Sequence, residues 1–386
     1  MRKILLIHIL FFTTHFYAQS NTDCFSIEPG QVIEVPENAQ VGDTIATIQY
    51  CSSGEWKKLE AEFFSTLALK ENGQLYTWGI NGEGGSWPPI TAGADPNQQI
   101  IFDPYLVKDP SDNSQDFLLD DVASSIYMAF GIKSEDKSLW GWGRDQDGQL
   151  GIGENPNAIY PEYVDYRTPQ LLNNSTTWKT VSAGSFHGNA IDTEGKLWGW
   201  GYADNNYDQN GFNTITYSPT QVGTESDWEV VSCGYQNTYL IKEDGTLWVM
   251  GLNSQGSSGL GDNPTESGIV QIGTDSDWSK VNSYGRGAIA IKNNGQLYVW
   301  GHNDNGKLGF DSSATPYISN PTQIPGSENI NFLYADVGRR HGLASDTDGN
   351  FYGWGENLSG QLGNGEIETY EEFQLIDTGD IMVSQV

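Results

Sequence analysis

The segment Glu194-Gly195-Lys196-Leu197-Trp198-Gly199-Trp200-Gly201 decides the fold of this chain. A turn glycine is followed by an apolar run that alternates with glycine and closes on a terminal glycine. A glycine of this kind, preceded by Asn or Asp and placed between two apolar runs, is the strongest short-range signal of a β-hairpin. The segment therefore predicts a hairpin turn and the strand that leaves it.

The same pattern occurs six times along the 386 residues. Four of the copies have Asn-Gly or Asp-Gly at the turn, whereas the second copy has Asp136-Lys137. The copies of the strand are residues 75–79, 139–143, 197–201, 247–251, 297–301 and 351–355. A supersecondary unit that recurs at a period of roughly 50 residues indicates a repeat protein, in which each unit buries its apolar face against its neighbours.

An aromatic anchor precedes each hairpin at a constant distance. The anchors are Trp56, Trp178, Trp228, Trp278 and Phe332, and the second copy has Asp120 at this position. In the third copy the anchor opens a predicted strand over 178–183, and further strands are predicted over 189–192, 197–200 and, after a proline, 219–222. Four strands per unit predict an all-β fold, a β-propeller of four-stranded blades with six sequence-coded units.

The opening Trp-x-x-Val-Ser-x-Gly, the histidines at His187 and His341, the hairpin and the Gly-Gln-Leu-Gly loops at 148–151 and 360–363 resemble the regulator of chromosome condensation repeat family. The resemblance covers residues 56–386. It implies a β-propeller, usually of seven blades, that acts through one of its faces. Family members include exchange factors for nuclear small GTPases, and secreted bacterial relatives include a β-lactamase inhibitor. Neither activity is transferred here, because the contact loops do not match.

The units begin near residues 56, 120, 178, 228, 278 and 332, and a partial unit starts near 380. Two explanations of this incomplete last unit stay open. Either the chain is a fragment of a longer protein, or its last strand joins the N-terminal segment 19–55 in a composite seventh blade.

The first 18 residues have the features of a secretory signal peptide. Arg2 and Lys3 precede an apolar run over 4–12, which is too short to span a bilayer as a helix, and Ala18 is the predicted last residue before cleavage. An uncleaved short anchor is the alternative. Export predicts a secreted, periplasmic or cell-surface protein and, in an oxidising compartment, a disulfide between Cys24 and Cys51 worth about 3 to 4 kcal/mol.

The charge of the chain limits its partners. It carries 50 acidic and 19 basic side chains, a formal net charge of −31. Nucleic acids and anionic membranes are therefore excluded as partners, and a partner with a basic patch is favoured. The protein is expected to be a monomer without a transmembrane segment.

Candidate chemistry is sparse in this sequence. Ser185 and His187 do not form a Gly-x-Ser-x-Gly motif, and Asn237 replaces the histidine in the next unit, which favours a structural role. The acidic loops that begin at Asp145 and Asp346 resemble only the start of a calcium loop, so turns explain them better. Cys233 is expected to pack as a small buried residue. We predict no enzyme, no catalytic residue, no metal and no cofactor.

Surface recognition is the function that these patterns favour. The two longest insertions, 86–117 and 152–167, belong to consecutive units and should be neighbours. Aromatic residues in such loops often carry binding, although they also anchor long loops to a scaffold. The candidate binding residues are Trp87, Phe102, Tyr105, Tyr160, Tyr163 and Tyr166.

The main hypothesis is an exported, non-catalytic interaction module for a protein or a surface polymer. The alternative is a glycan-binding or glycan-hydrolysing protein that uses carboxylates such as Glu162 and Asp165. An inhibitor of a secreted enzyme is the third hypothesis.

Overall fold

The computed structural model describes residues 56–62, 65–80, 100–153, 165–172, 175–202, 211–212, 214–262 and 268–376. Nearly all regular structure in these ranges is β-strand, with two 3₁₀ turns at Ser254–Gly256 and Asp304–Gly306. No helix in the described ranges is long and apolar enough to cross a membrane.

Six four-stranded antiparallel sheets follow one another along the chain, and each is one blade of a β-propeller. The first blade contains β1 (Trp56–Glu62), β2 (Ser65–Lys70), β3 (Leu75–Ile80) and β4 (Ile100–Leu106). A small hairpin, β5 (Lys108–Asp109) and β6 (Asp112–Asp116), leads to the second blade. The second blade contains β7 (Leu119–Ser124), β8 (Met128–Lys133), β9 (Leu139–Arg144) and β10 (Asp165–Leu171). The third contains β11 (Trp178–Ala183), β12 (His187–Asp192), β13 (Leu197–Gly201) and β14 (Thr216–Gln221).

The last three blades repeat this order. The fourth contains β15 (Trp228–Cys233), β16 (Asn237–Lys242), β17 (Leu247–Gly251) and β18 (Val270–Gln271). The fifth contains β19 (Trp278–Tyr284), β20 (Gly287–Lys292), β21 (Leu297–His302) and β22 (Tyr317–Gln323). The sixth contains β23 (Phe332–Val337), β24 (His341–Asp346), β25 (Phe351–Gly355) and β26 (Tyr370–Ile376). The six-unit propeller predicted from the hairpin repeat is confirmed.

The hairpin of the third blade shows why the repeated sequence folds in this way. Ile191 pairs with Leu197 at the turn, and the pairing ends where His187 meets Gly201. The Asp192 carboxylate accepts hydrogen bonds from the backbone N–H groups of Glu194 and Lys196, at 2.9 Å each, and so closes the turn. Gly201 has φ +93°, and a Cβ there would approach the Phe186 carbonyl to 2.7 Å, so only glycine fits at the strand end.

Adjacent blades are joined by a loop of one and a tryptophan of the next. The Gly-Gln-Leu-Gly loop of the second blade packs on Trp200, which is fully buried and donates its Nε1–H to the Gln149 carbonyl at 3.1 Å. Trp354 donates in the same way to Lys307 of the fifth blade at 2.8 Å. These tryptophans therefore belong to the packing between blades, as their periodicity suggests.

The second blade differs by one residue from the alignment made on sequence. The sequence spacing placed Asp120 at the anchor position, but Leu119 pairs with Lys133 just as Trp178 pairs with Asp192. The hairpin turn of this blade is one residue longer, and Lys137 adopts φ +58° in it. The extra residue displaces the anchor by one position, so the second blade has a buried apolar anchor, Leu119, like the anchors of the third to sixth blades.

The first strands of the blades lie next to one another around the centre. Lys58 Nζ of the first blade contacts Asp121 Oδ1 of the second at 2.9 Å. Asp336 of the sixth blade is exposed at the centre, yet its pKa is raised to about 7 because surrounding protein lowers its hydration and because Glu60 adds negative charge. The first and last blades are therefore within electrostatic reach of each other.

The first blade is less covered than the later ones. Trp56 and Trp78 are partly exposed, whereas their counterparts Trp178 and Trp200 are buried. The predicted composite seventh blade, the signal peptide and the disulfide of Cys24 and Cys51 involve residues outside the described ranges, and they stay predictions.

Candidate interaction face

One end of every blade carries the connections between the first and second strands and between the third and fourth strands. We call this end the turn face. The two backbone segments are tied together here: the N–H of Arg144 binds the Tyr127 carbonyl at 2.7 Å, and that of Tyr202 binds the Phe186 carbonyl at 2.8 Å. The rigid strands therefore fix the side chains that these turns present.

Three aromatic side chains from three successive blades form a row on the turn face. Tyr127 and Phe186 have ring centroids 5.3 Å apart, and Phe186 and Tyr235 have centroids 6.1 Å apart in an edge-to-face arrangement. Tyr202 adds a further edge-to-face contact to Phe186 at 6.2 Å. All four side chains are partly exposed. Contact area of this kind, held on a rigid scaffold, is typical of protein-binding surfaces.

An arginine stands at each end of this aromatic row. The guanidinium of Arg144 lies over the Tyr127 ring at 5.2 Å, and that of Arg286 lies over the Tyr235 ring at 5.9 Å. Arg144 is buried and also approaches Asp165, with 3.5 Å between Nε and Oδ1, whereas Arg286 is exposed. The row and its two arginines span four blades of a strongly acidic protein.

Lys307 lies beside the Arg286 end of the row. Its residue is only 3% exposed, and burial lowers its pKa to about 8. The charge of Asp304 raises this pKa and the charge of Arg286 lowers it. The turn face therefore holds two neighbouring cations, one buried and one exposed.

The predicted loop aromatics have different positions. Trp87, Tyr160 and Tyr163 lie outside the described ranges, and of Phe102 only the strand position in β4 is described. Tyr105 lies in β4 opposite Thr77, and Tyr166 lies in β10 opposite Gly143.

Tyr105 and Tyr166 are thus in the outer strands of consecutive blades, partly buried against the apolar cores. Their packing favours the anchoring role that the sequence left open. The strands β3 and β9, which precede the two insertions, end on the turn face, on the same side as the aromatic row.

His187 lies at the contact between the third and fourth blades, and we call such a contact between adjacent blades a joint. Its side chain is fully buried, its Nε2 lies 3.0 Å from Thr238 Oγ1, and burial lowers its pKa to about 3. Thr238 Oγ1 in turn donates to Asn189 Oδ1 at 3.1 Å. A histidine held neutral in this network has a structural role, as predicted from the sequence.

The two acidic loops use their first carboxylates in turns. Asp145 Oδ1 accepts the Leu150 N–H at 2.9 Å, and Asp346 Oδ1 accepts N–H groups of Asp348 and Asn350 at 2.9 and 2.8 Å. The turn interpretation is therefore confirmed for both carboxylates.

The remaining candidates from the sequence are Cys233 and the carboxylates Glu162 and Asp165. Cys233 is buried, as expected, and burial raises the pKa of its thiol to about 11. Of the two carboxylates considered for glycan chemistry, Glu162 lies outside the described ranges, while burial raises the pKa of Asp165 against the effect of Arg144.

The sequence contains a signal for the aromatic row that the loop-based search missed. The position directly before the counterpart of His187 carries a large side chain in five blades. These residues are Tyr127, Phe186, Gln236, Arg286 and Arg340 in the second to sixth blades. Large side chains therefore recur at one end of each blade, inside the constant part of the unit and not in its insertions.

Six four-stranded blades in a ring, joined by repeated contacts between a loop and a tryptophan, define a β-propeller. The model of the RCC1-like domain matches residues 48–386 of this sequence. The chain belongs to the RCC1-like domain family.

Known structures and relatives agree with this assignment. Human WBSCR16 superposes with a TM-score of 0.70 at 17% identity, covering 84% of this chain and 83% of the other. Yeast RCC1 (Prp20), in its complex with Kap60, superposes with a TM-score of 0.66 at 18% identity, covering 83% and 75%. At these identities the superpositions establish the fold.

Two Arabidopsis thaliana relatives match part of the sequence. The mitochondrial RCC1 domain-containing protein RUG3 is 30% identical over 146 residues, which are 37% of this chain and 29% of the relative. The ultraviolet-B receptor UVR8 is 26% identical over 138 residues, which are 36% and 27% of the two chains. The match spans less than a third of either relative.

Proposed function

We propose that this protein is an exported, non-catalytic binding module that holds a partner protein on its turn face. The observation that carries the proposal is the row of Tyr127, Phe186 and Tyr235, which three blades present side by side and partly exposed. The family supports it, because RCC1-like propellers commonly act as interaction modules. Two related structures are described as yeast RCC1 bound to Kap60 and as Prp20p with binding to Gsp1p and histones.

The export step of the proposal is based on the predicted signal peptide, residues 1–18, and it determines where the partner is to be sought. A partner of an exported protein lies in the periplasm, on the cell surface or in the medium. N-terminal sequencing of the protein recovered from each fraction tests this step. Recovery of the uncleaved chain from the cytosol alone would contradict export without touching the binding face.

The net charge of −31 determines how binding should respond to salt. A basic partner surface is attracted over long distance, and this attraction is screened within about 8 Å at physiological ionic strength. We expect capture from the organism's own envelope and medium to weaken as salt increases, while the aromatic contacts persist.

Variants test the face directly. Phe186→Ala removes the centre of the aromatic row, and Leu375→Ser is the matched control, because Leu375 is 62% exposed on the outer strand β26. A triple replacement of Tyr160, Tyr163 and Tyr166 by Ser tests the insertion. The proposal requires that Phe186→Ala or the triple variant lose the partner while Leu375→Ser keeps it, with unchanged circular dichroism. A glycan array and a hydrolysis assay on the same protein decide between this function and glycan chemistry.

A further inference from the structure

Lys307 is a largely buried cation that no acceptor binds directly in the described part of the chain. Its Nζ makes no hydrogen bond and no ion pair there. The nearby carboxylate of Asp304 is already bound to His302, with 2.7 Å between Oδ2 and Nδ1, and is largely exposed. An ammonium that is largely removed from water and has only the longer-range attraction of Asp304 is costly, so its retention needs an explanation.

The Lys307 side chain occupies space that is open because residue 287 is a glycine. Gly287 stands where the third, fourth and sixth blades have His187, Asn237 and His341. The space is taken up by Lys307, whose Nζ lies 3.3 Å from the place of a Cβ on Gly287 and 3.9 Å from the place of one on Gly285. The ammonium therefore lies directly beneath the turn formed by residues 285–287.

Arg286 stands on the same turn, above Lys307. Its side chain is exposed, makes no ion pair among the described residues, and lies over the Tyr235 ring. The Tyr235 N–H binds the Gly285 carbonyl at 2.7 Å, so the turns of the fourth and fifth blades are fixed to each other. Two cations are thus held together on a rigid part of the turn face, where one anion from a partner would form charge-assisted hydrogen bonds with both.

We propose that Arg286 and Lys307 bind the carboxylate of an aspartate or glutamate in a segment of the partner protein, whose apolar side chains lie along the row of Tyr235, Phe186 and Tyr127. This inference rests on the proposed function and names the position and chemistry of its contact. The charge of −31 disfavours a partner that is acidic throughout. The segment therefore presents its carboxylate from an otherwise neutral or basic surface.

A random dodecapeptide library displayed on phage is the probe. Selection on the full chain should enrich peptides with Asp or Glu at a fixed position next to aromatic or aliphatic residues. For a synthetic peptide from this selection, Arg286→Gln and Lys307→Met should each raise Kd by about tenfold or more, as should Glu→Gln or Asp→Asn in the peptide, since each removes a charge-assisted hydrogen bond. Lys196→Gln, in the turn between β12 and β13 at the opposite end of the blades, is the control and should leave Kd unchanged.

Three results would overturn the inference. The first is a selection that returns no peptide above background, or only peptides whose Kd is indifferent to both substitutions. The second is sedimentation that shows dimers which Arg286→Gln dissociates, because this would assign the face to a second copy of the chain. The third is a natural partner that is lost with Phe186→Ala but kept with Arg286→Gln and Lys307→Met, in which case the proposed function stands and the carboxylate site fails.

Discussion

Trp200 donates its indole N–H to the carbonyl of Gln149, 3.1 Å away, across the joint between the second and third blades. The indole is fully buried, and its ring also meets Phe130 of the second blade edge to face at 5.2 Å. One side chain thus contributes apolar burial, an aromatic contact and a hydrogen bond to the same joint.

Replacing Trp200 should therefore be among the most damaging single changes. Trp200→Ala is expected to lower the free energy of unfolding by about 3 to 5 kcal/mol, whereas Trp200→Phe keeps much of the packing and should cost less. Urea unfolding followed by circular dichroism measures both. Loss of less than about 1 kcal/mol in the alanine variant would show that the joint does not depend on this residue.

Gly151 provides a second test of the same joint. Gly151 has φ +71°, and a Cβ there would lie 2.5 Å from the Trp200 ring, while Gly223 has φ +68° and nothing within 4 Å. Both Gly→Ala variants suffer the left-handed backbone cost of roughly 1 kcal/mol. Only Gly151→Ala adds a clash, so its midpoint in urea should be lower than that of Gly223→Ala. Equal midpoints would mean that the loop yields without cost.

His187 should make the protein less stable in acid. Its pKa falls from 6.5 to about 3 on folding, because burial disfavours the charged ring. The unfolded chain therefore binds the proton first, and this contribution to stability is complete above about pH 6.5 and is lost as the pH falls toward 3, by up to about 1.4 kcal/mol per pH unit.

The variant His187→Asn places asparagine where the fourth blade has Asn237 at the equivalent position. The variant should show a flatter loss of stability between pH 6.5 and 4 than the parent protein, measured by urea unfolding at each pH. The lowered pKa of His341, about 4, leaves part of the slope in place. His302→Asn, beside the exposed carboxylate of Asp304, is the control, and an identical profile for it and His187→Asn would refute the assignment.

Asp336 should act in the opposite direction. Its pKa rises from 3.8 to about 7, so the folded protein binds the proton more tightly than the unfolded chain. The contribution to stability is present below about pH 3.8 and is lost as the pH rises through 7. Asp336→Asn should therefore stabilise the protein more at pH 8 than at pH 5, as thermal unfolding can measure. Asp348→Asn in an exposed turn should show no such difference, and a gain for Asp336→Asn that does not change with pH would contradict the prediction.

The sequence predicted the blades because their determinants are local. Glycine at the hairpin turn and at the strand end is required by backbone conformation, and Trp200 recurs because each blade buries the same surface. Leu119 was missed for an equally local reason, since one extra residue near Lys137 displaced the count and a leucine in place of tryptophan hid the anchor.

The candidate interaction face was harder to predict because it depends on three-dimensional neighbours. Tyr127, Phe186 and Tyr235 are far apart in sequence and become adjacent only when three blades pack. The Lys307 site is a consequence of Gly287, and no spacing rule connects a lysine with the absence of a side chain twenty residues earlier. Charge and composition suggested a binding function, but the position of the candidate face could be found only from the arrangement of the blades in the propeller.

The joint made by Trp200 and the 148–151 loop has an implication for how such a protein grows. Each unit of this type carries a tryptophan that faces the preceding blade and a glycine loop that faces the following one. A tandem duplication of one unit therefore supplies one half of each of the two joints that the new copy makes, and its two neighbours already carry the other halves. Copies of such a unit fit beside one another without a change in the joint, while the exposed turn residues, such as Phe186 and Gln236, are free to differ from blade to blade.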